Sequence, residues 1–203
     1  MNYKWNYEAP SPEAQAQAQE LAKGVGIHPA LGKLLLDRGL STVAEAKRFF
    51  RPQLTELHDP FLMNDMDVAV ERLNGAMVRR EKIMVYGDYD VDGCTAVALV
   101  YRFLRQFYAE VEYYIPDRYD EGYGVSRKGV DYAAERGVKL IIVLDCGIKA
   151  IDEVASAKER GVDFIICAHH VPEAALPPAV AILNPKRSDN RYPNTDLSGS
   201  GVG

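Results

Sequence analysis

The residues best equipped for chemistry are four aspartates and two histidines that follow apolar runs. Gly87-Asp88-Tyr89-Asp90-Val91-Asp92-Gly93 sets three carboxylates at alternate positions between glycines. That crowding of negative charge is costly unless cations occupy the loop. A dinucleotide site would instead offer a Gly-rich loop of open amides, and a phosphate-binding P-loop would supply a lysine. An EF-hand would need a glutamate at its twelfth position, which is missing. Taken by itself, the loop reads better as a solvated acidic turn. It is joined, however, by Asp145 after the apolar run ending at Leu144, and by His169-His170 after Cys167. Mixed carboxylate and imidazole ligands suit Mn²⁺ or Mg²⁺ better than a soft metal. Two such ions clamp the attacking and leaving oxygens of a phosphoester displacement, with a water acidified by both as nucleophile. Metal-dependent phosphoester hydrolysis is therefore the expected chemistry.

The elements that must bring these residues together begin at residue 81. Strand-length apolar runs recur at Lys82–Tyr86, Val111–Ile115, Lys139–Leu144, Asp163–Cys167 and Val180–Leu183. Between them, helical stretches are expected over Cys94–Phe107, Ser126–Arg136 and Ile148–Arg160, with Gly137 and Gly161 as C-terminal caps. Continuous apolar strands mean burial on both faces, so the fold class is α/β, a doubly wound, mainly parallel five-stranded sheet. Its function belongs at the carboxyl ends of the strands. For the first, third and fourth tips to converge, the strand order should be 2-1-3-4-5 rather than 3-2-1-4.

Residues 1–80 read as a small all-helical N-terminal segment, and residues 81–203 as the catalytic domain. Ser11-Pro12-Glu13 opens a helix expected to stop at Gly24. Pro29–Arg38 forms a second, ended by Gly39. Thr42-Val43-Ala44-Glu45 has capping-box spacing and starts a third, closed by Pro52. Met66–Arg80 carries helical periodicity and gives a fourth. Gly24-Val25-Gly26-Ile27 faintly resembles a DNA-backbone-binding hairpin, but a plain connection between helices is the simpler reading.

The 203 residues carry 24 basic and 29 acidic side chains, a net charge of −5. At face value that opposes a nucleic-acid partner. The first 80 residues balance ten against ten, however, so the whole deficit lies in the domain that carries Asp88, Asp90, Asp92 and Asp145. Two bound divalent ions would bring that domain close to neutrality and let it accept phosphate. Apolar runs fall far short of the roughly 20 residues a membrane span needs. Residues 1–10 lack the pattern of a secretory leader. Cys94, Cys146 and Cys167 lack metal-site spacing and suit small buried positions, so a reducing cytoplasm is the expected location.

Other polar residues suit a phosphate-bearing substrate. Arg118, Gly122, Tyr123 and Gly124 offer a guanidinium fork, exposed amides and an aromatic ring, and Ser126 opens a helix whose N-terminus favours anions. An aromatic beside Arg and Gly also suits stacking on a single-stranded base. The plainer alternative is a strand-to-helix loop with a capping serine. Lys186, Arg187 and Arg191 could add phosphate contacts. Ser198-Gly199-Ser200-Gly201 could form an anion-binding backbone nest or a linker.

Asp88-Tyr89-Asp90-Val91-Asp92-Gly93, Asp145-Cys146-Gly147 and Ala168-His169-His170 resemble the first three motifs of the DHH phosphoesterase superfamily. The resemblance is specific to its RecJ family of single-strand-specific exonucleases. Leu57–Leu62, Arg118…Gly122-Tyr123-Gly124, Asn184-Pro185 and Ser198–Gly203 carry it along nearly the whole chain. It implies Mn²⁺ or Mg²⁺, single-stranded DNA as substrate, 5′→3′ release of mononucleotides, and work in DNA recombination and repair. Carried onto this chain, Asp88, Asp90, Asp92, Asp145 and His169 are expected metal ligands, with His170 as ligand or support. Asp90, Asp145, His169 and His170 are the expected catalytic residues, and Arg118, Gly122, Tyr123, Gly124 and Ser126 the substrate contacts. Two departures bear on activity. Ala168 stands where the family has an acid, which reads as an inactivating substitution. Family members also continue through further C-terminal domains, so this chain is expected to be an N-terminal fragment, weakened or inactive. The competing readings are a short-oligonucleotide or nucleotide phosphodiesterase of the same superfamily, and a non-catalytic nucleic-acid-binding module. A cofactor-binding oxidoreductase ranks last, because the acidic first loop repels a pyrophosphate.

Overall fold

The computed structural model describes Lys4 and residues 9–203. The expectation about a leader in residues 1–10 falls largely outside them. Two compact units divide between Leu57 and His58.

The first unit holds α1 (Pro12–Val25), α2 (Pro29–Leu36), α3 (Val43–Phe50) and a 3₁₀ turn at Leu54–Glu56. Ser11 caps α1 by accepting from the Ala14 amide at 3.2 Å. At Thr42 and Glu45 both reciprocal bonds of a capping box form. The helix α1 does not stop at Gly24. A Cβ there would lie 2.5 Å from Val43 Cγ2, so Gly24 is an allowance for close packing by α3. Gly26, at φ +80°, provides the left-handed termination two residues later. Leu21, Leu35 and Ala46 form the core, with Val25 and Ile27 packed against it. The stretch Gly24–Ile27 is thus a helix end and its connection.

The second unit contains a 3₁₀ turn at Pro60–Leu62, then α4 (Met66–Val78), β1 (Lys82–Gly87), α5 (Val91–Leu104) and β2 (Val111–Tyr114). These are followed by α6 (Arg127–Glu135), β3 (Val138–Leu144), α7 (Ile151–Glu159), β4 (Asp163–Cys167), β5 (Ala181–Leu183) and α8 (Gly199–Val202). All strand pairs are parallel, in the order β2-β1-β3-β4-β5. Alternate residues feed two cores. Ile83, Val85, Leu140, Ile142 and Ile165 face α4 and α5, whereas Met84, Tyr86, Ile141, Val143 and Ile166 face α6 and α7. Burial on both faces explains the unbroken apolar runs. The helix α4 packs Met66, Leu73 and Met77 onto the first of these cores, along with buried Ala69 and Ala76. The packing break therefore precedes α4, whereas the change of sequence rhythm falls at residue 80. Gly137 and Gly161, at φ +75° and +72°, end α6 and α7 as their positions suggest.

In-register pairing aligns the tips. Gly87 pairs with Leu144, and Leu144 with Cys167. Asp88, Asp90, Asp92, Asp145, His169 and His170 each follow one of these aligned residues by one to five positions. Among the described residues, no helix is long and apolar enough to cross a membrane.

Candidate metal centre

Asp88 follows β1 directly and is fully buried. Its Oδ1 accepts from the Tyr89 amide at 2.7 Å, while its Oδ2 has no hydrogen-bond partner among the described residues. Asp90 caps α5, accepting from the Gly93 amide at 2.9 Å. This cap starts the helix at Val91, three residues before the expected Cys94. Asp92 therefore lies in the first turn of α5 rather than in a loop. Gly93 permits the helix to approach the strand end, since a Cβ would stand 2.5 Å from the Asp88 carbonyl oxygen.

Asp145 follows β3 with φ +61°, a left-handed conformation that Asp tolerates better than most residues. Its amide donates to the Cys167 carbonyl at 2.8 Å, which ties the β3 and β4 tips together. Its Oδ1 lies 3.1 Å from His169 Nε2, outside hydrogen-bond alignment, and is buried without a hydrogen bond among the described residues. His169 Nε2 is also 3.8 Å from Asp92 Oδ2. One ligand atom each from Asp145, His169 and His170 lie within 4.8 Å of one another. His170 Nε2 is 3.2 Å from the Tyr123 hydroxyl, and its buried Nδ1 has no partner.

The electrostatics follow from this crowding. Burial, and then the charges of Asp92 and Asp90, push the Asp145 carboxyl up to about 7. Burial also raises Asp88. For His170 burial acts in the opposite sense and, with His169, lowers its pKa. Asp92 differs: burial pulls it up, but amide bonds outweigh that and hold it below its usual value. Those amides belong to Gly199 (2.6 Å) and Ser200 (2.7 Å), at the start of α8. Of the two readings left open for Ser198–Gly201, nest or linker, the Gly199 and Ser200 amides act as the nest, and the anion they hold is Asp92. Gly199 also presses against Asp145, where a Cβ would lie 2.2 Å from Oδ1.

Asp145, His169 and His170 thus make a hard-to-borderline donor set, in which Asp145 Oδ1 and His170 Nδ1 have no hydrogen-bond partner among the described residues, and Asp88 is not one of its members. The residues present fit a divalent cation such as Mn²⁺ or Mg²⁺. Ala168 contributes no ligand atom. It is fully buried in the α6/α7 core, and its amide donates to the Leu183 carbonyl at 3.0 Å. The cysteines stay apart from this chemistry. Burial raises the Cys146 and Cys167 thiols, the latter to about 12, which keeps them protonated at neutral pH.

The substrate candidates divide. The Arg118 guanidinium lies 5.1 Å from the Tyr89 ring centroid, Tyr89 meets Tyr123 edge-on, and Tyr123 reaches His170. A continuous line of side chains thus joins Arg118 to the centre. Gly122 and Gly124, at φ +80° and +86°, give the loop turns that other residues would strain to make. Ser126 belongs to the support instead. Its Oγ caps α6 by accepting from Gly129 N at 2.8 Å and donates to Glu121, and its amide donates to the Tyr86 hydroxyl. Glu121 in turn accepts from the Tyr114 hydroxyl and the Asp117 amide, which fixes the whole loop. Arg187 is also committed elsewhere, to Asp65 at 2.6 Å and Asp189 at 2.7 Å.

Asn184 received no role from sequence. Its side chain donates to the His170 carbonyl at 2.9 Å and accepts from the Lys186 amide at 2.8 Å. An amide side chain immediately after a strand-length apolar run and before a proline was the available signal.

Residues 82–203 match the model of the DHH family, N-terminal domain. The chain is 39% identical over 199 residues to the single-stranded-DNA-specific exonuclease RecJ of Bacillus subtilis, covering 98% of this chain and 25% of that protein. It is 36% identical over 183 residues to RecJ of Haemophilus influenzae, covering 90% of this chain and 31% of that one. The chain thus spans a quarter to a third of these relatives. Among solved structures, exonuclease RecJ bound to manganese aligns with a TM-score of 0.62 at 32% identity, covering 72% of this chain and 37% of that one. RecJ of Thermus thermophilus in complex with Mn²⁺ aligns with a TM-score of 0.67 at 27% identity, covering 92% and 26%. With that match and the geometry of its strand tips, the chain belongs to the DHH family.

Proposed function

We propose that this chain is the metal-holding part of a phosphodiester hydrolase that degrades single-stranded DNA from its 5′ end, in DNA recombination and repair in the cytoplasm. The observation that carries the reading is the convergence of Asp145, His169 and His170 at aligned strand tips, with buried ligand atoms left unpaired. Relatives named as single-stranded-DNA-specific exonucleases support the substrate, and relatives solved with manganese support the cation.

Asp88, Asp90, Asp92, Asp145 and His169 hold Mn²⁺ or Mg²⁺ in this proposal. When bound, the ions polarise the phosphoryl oxygens and lower the pKa of the attacking water. The residues of the chain do the rest. Asp145, raised to about 7, gives up its proton when a cation is present. Tyr123 and Asn184 orient His170, one through its ring and the other through its carbonyl. Arg118 and the Gly122–Gly124 loop receive the substrate phosphate, and Ser126 and Glu121 keep that loop in shape. The two bonds from α8 to Asp92 fix its carboxylate plane before any ligand arrives.

Ala168 supports a second reading, a nucleic-acid-binding module without catalysis, because it leaves the β4 tip without a carboxylate. Hydrolysis assays on 5′-phosphorylated single strands separate the two, using this segment in a chain of its relatives' length. The catalytic reading expects Ala168→Asp to release mononucleotides and chelator to stop it. Strand binding that ignores chelator, with no hydrolysis after Ala168→Asp, would establish the second reading. Dinucleotides degraded faster than long strands would redirect the first toward a short-oligonucleotide phosphodiesterase.

A further inference from the structure

Beside His170 a cavity of about 650 Å³ opens between two loops. That volume is within the ~300–1,000 Å³ usual for small-ligand sites. Tyr123, Gly124 and Val125 form one wall, and the turn from Cys146 to Ala150 forms the other. Close packing at Gly147 sets the floor, for a Cβ there would lie 2.9 Å from Val143 Cγ1 and 3.3 Å from Val125 Cγ2. The interior is apolar, from Val125, Ile148 and Ala150. Charge appears only at Glu153 and at Lys149, which pairs with Glu173 at 3.2 Å. The proposed hydrolysis engages its rim, at Tyr123, Gly124 and His170, and gives no role to the rest of the lining.

We infer that the cavity receives one unpaired nucleobase of the strand whose phosphodiester lies at the metal centre. The inference rests on the phosphodiesterase reading and adds a base subsite to it. His170 belongs to both, so a phosphate at the centre places the attached nucleoside at the cavity mouth. An apolar slot edged by the Tyr123 ring accepts the face of any base and reads none of them, as sequence-independent strand binding requires. Entry also requires the base to be unstacked and unpaired, so a duplex is excluded.

The test uses this chain with Mn²⁺ and a phosphorothioate-linked hexathymidylate, which resists hydrolysis. Six further strands each carry one abasic position. One position should weaken binding about tenfold and the others less than twofold, in line with base contacts of ~1–3 kcal/mol. Ala150→Trp, which fills the cavity, should weaken the intact strand to the level of that abasic strand while its Mn²⁺ titration stays normal. Glu153→Phe provides a second filling should Ala150→Trp melt by circular dichroism. A flat abasic profile, or discrimination that survives filling, would overturn the base slot and leave the metal reading standing. Thymidine 5′-monophosphate bound as tightly as the hexamer would overturn the assignment to a strand. Absence of any Mn²⁺ binding would instead overturn the reading of the centre, and this inference with it.

Discussion

The two ends of the sheet gather acids in opposite ways. At the amino-terminal end, Arg72 pairs with Glu81 at 2.8 Å and Asp163 at 2.7 Å, and donates to the Lys139 carbonyl. Arg79 adds a second bond to Glu81 at 2.6 Å. At the carboxyl end, Asp92 and Asp145 meet at His169 Nε2, 3.8 and 3.1 Å away, and among the described residues neither they nor Asp88 pair with a lysine or arginine. Glu81 and Asp145 titrate in opposite senses. The Arg79 guanidinium and then Arg72 outweigh burial and hold Glu81 below its usual value, whereas burial and like charge raise Asp145 to about 7. Acids with built-in partners stabilise the fold. Acids left without them store an electrostatic cost that a bound cation relieves.

The largest expected effect removes the basic partner at the amino-terminal end. Arg72→Met should cost about 3 kcal/mol in urea unfolding, because it strands Glu81 and Asp163 in a half-buried site. Mn²⁺ affinity should stay within twofold. A large loss of Mn²⁺ affinity in a folded variant would break the division between the ends.

The second effect is a difference in pH response. Glu81 is lowered in the folded chain, so its contribution is present at neutral pH and disappears on acidification below the unfolded value of 4.5. Asp145 is raised, so the metal-free chain should lose stability, on the order of 2–4 kcal/mol, as pH climbs from about 4 to 7. Asp145→Asn should abolish that decline and leave the acid limb intact. Unfolding midpoints collected from pH 4 to 8 in chelator, with unchanged slopes in the variant, would remove Asp145 as the source.

Much of this arrangement was legible in the chain itself, for a physical reason in each case. Apolar runs without alternation dictate strands buried on both faces, and Asp145 and His169 follow such runs directly. The tips could therefore be aligned, and the order 2-1-3-4-5 inferred, before any coordinates. Less visible was what depends on distant contact. Gly24 looks like a helix stop, yet the Val43 side chain against it decides otherwise. Asp90 looks like one acid among three, while its bond to Gly93 turns half of the motif into helix. The glycines at 199 and 201 suggest a site for phosphate, and Asp92, far back in sequence, fills it. Ser126 suits an anion site by position, but Glu121 and Gly129 occupy its hydroxyl. Helix caps and packing glycines share their residue types with binding loops, and only the fold separates them.

A smaller effect tests how far support of the centre extends. Asn184→Ala should cost about 2 kcal/mol, since it leaves the His170 carbonyl and the Lys186 amide without their partner. It should also weaken Mn²⁺ several-fold by freeing His170. Thermal melts and calorimetry together would show a purely structural role if stability fell and affinity did not. The smallest effect restores an acid. Ala168→Asp should raise Mn²⁺ affinity about tenfold, in the range for residues that ligate or orient ligands, while lowering metal-free stability by adding one more unpaired carboxylate.

Asp145 and the groups around it are proposed to await a cation. Calorimetric titration of Mn²⁺ into this chain and its Asp145→Asn variant at pH 7.5 tests this most directly. Saturable binding with proton release in the parent, weakened at least about a hundredfold in the variant, is the expected result. Equal affinity in the two chains, or no binding in the parent even after Ala168→Asp, would contradict it.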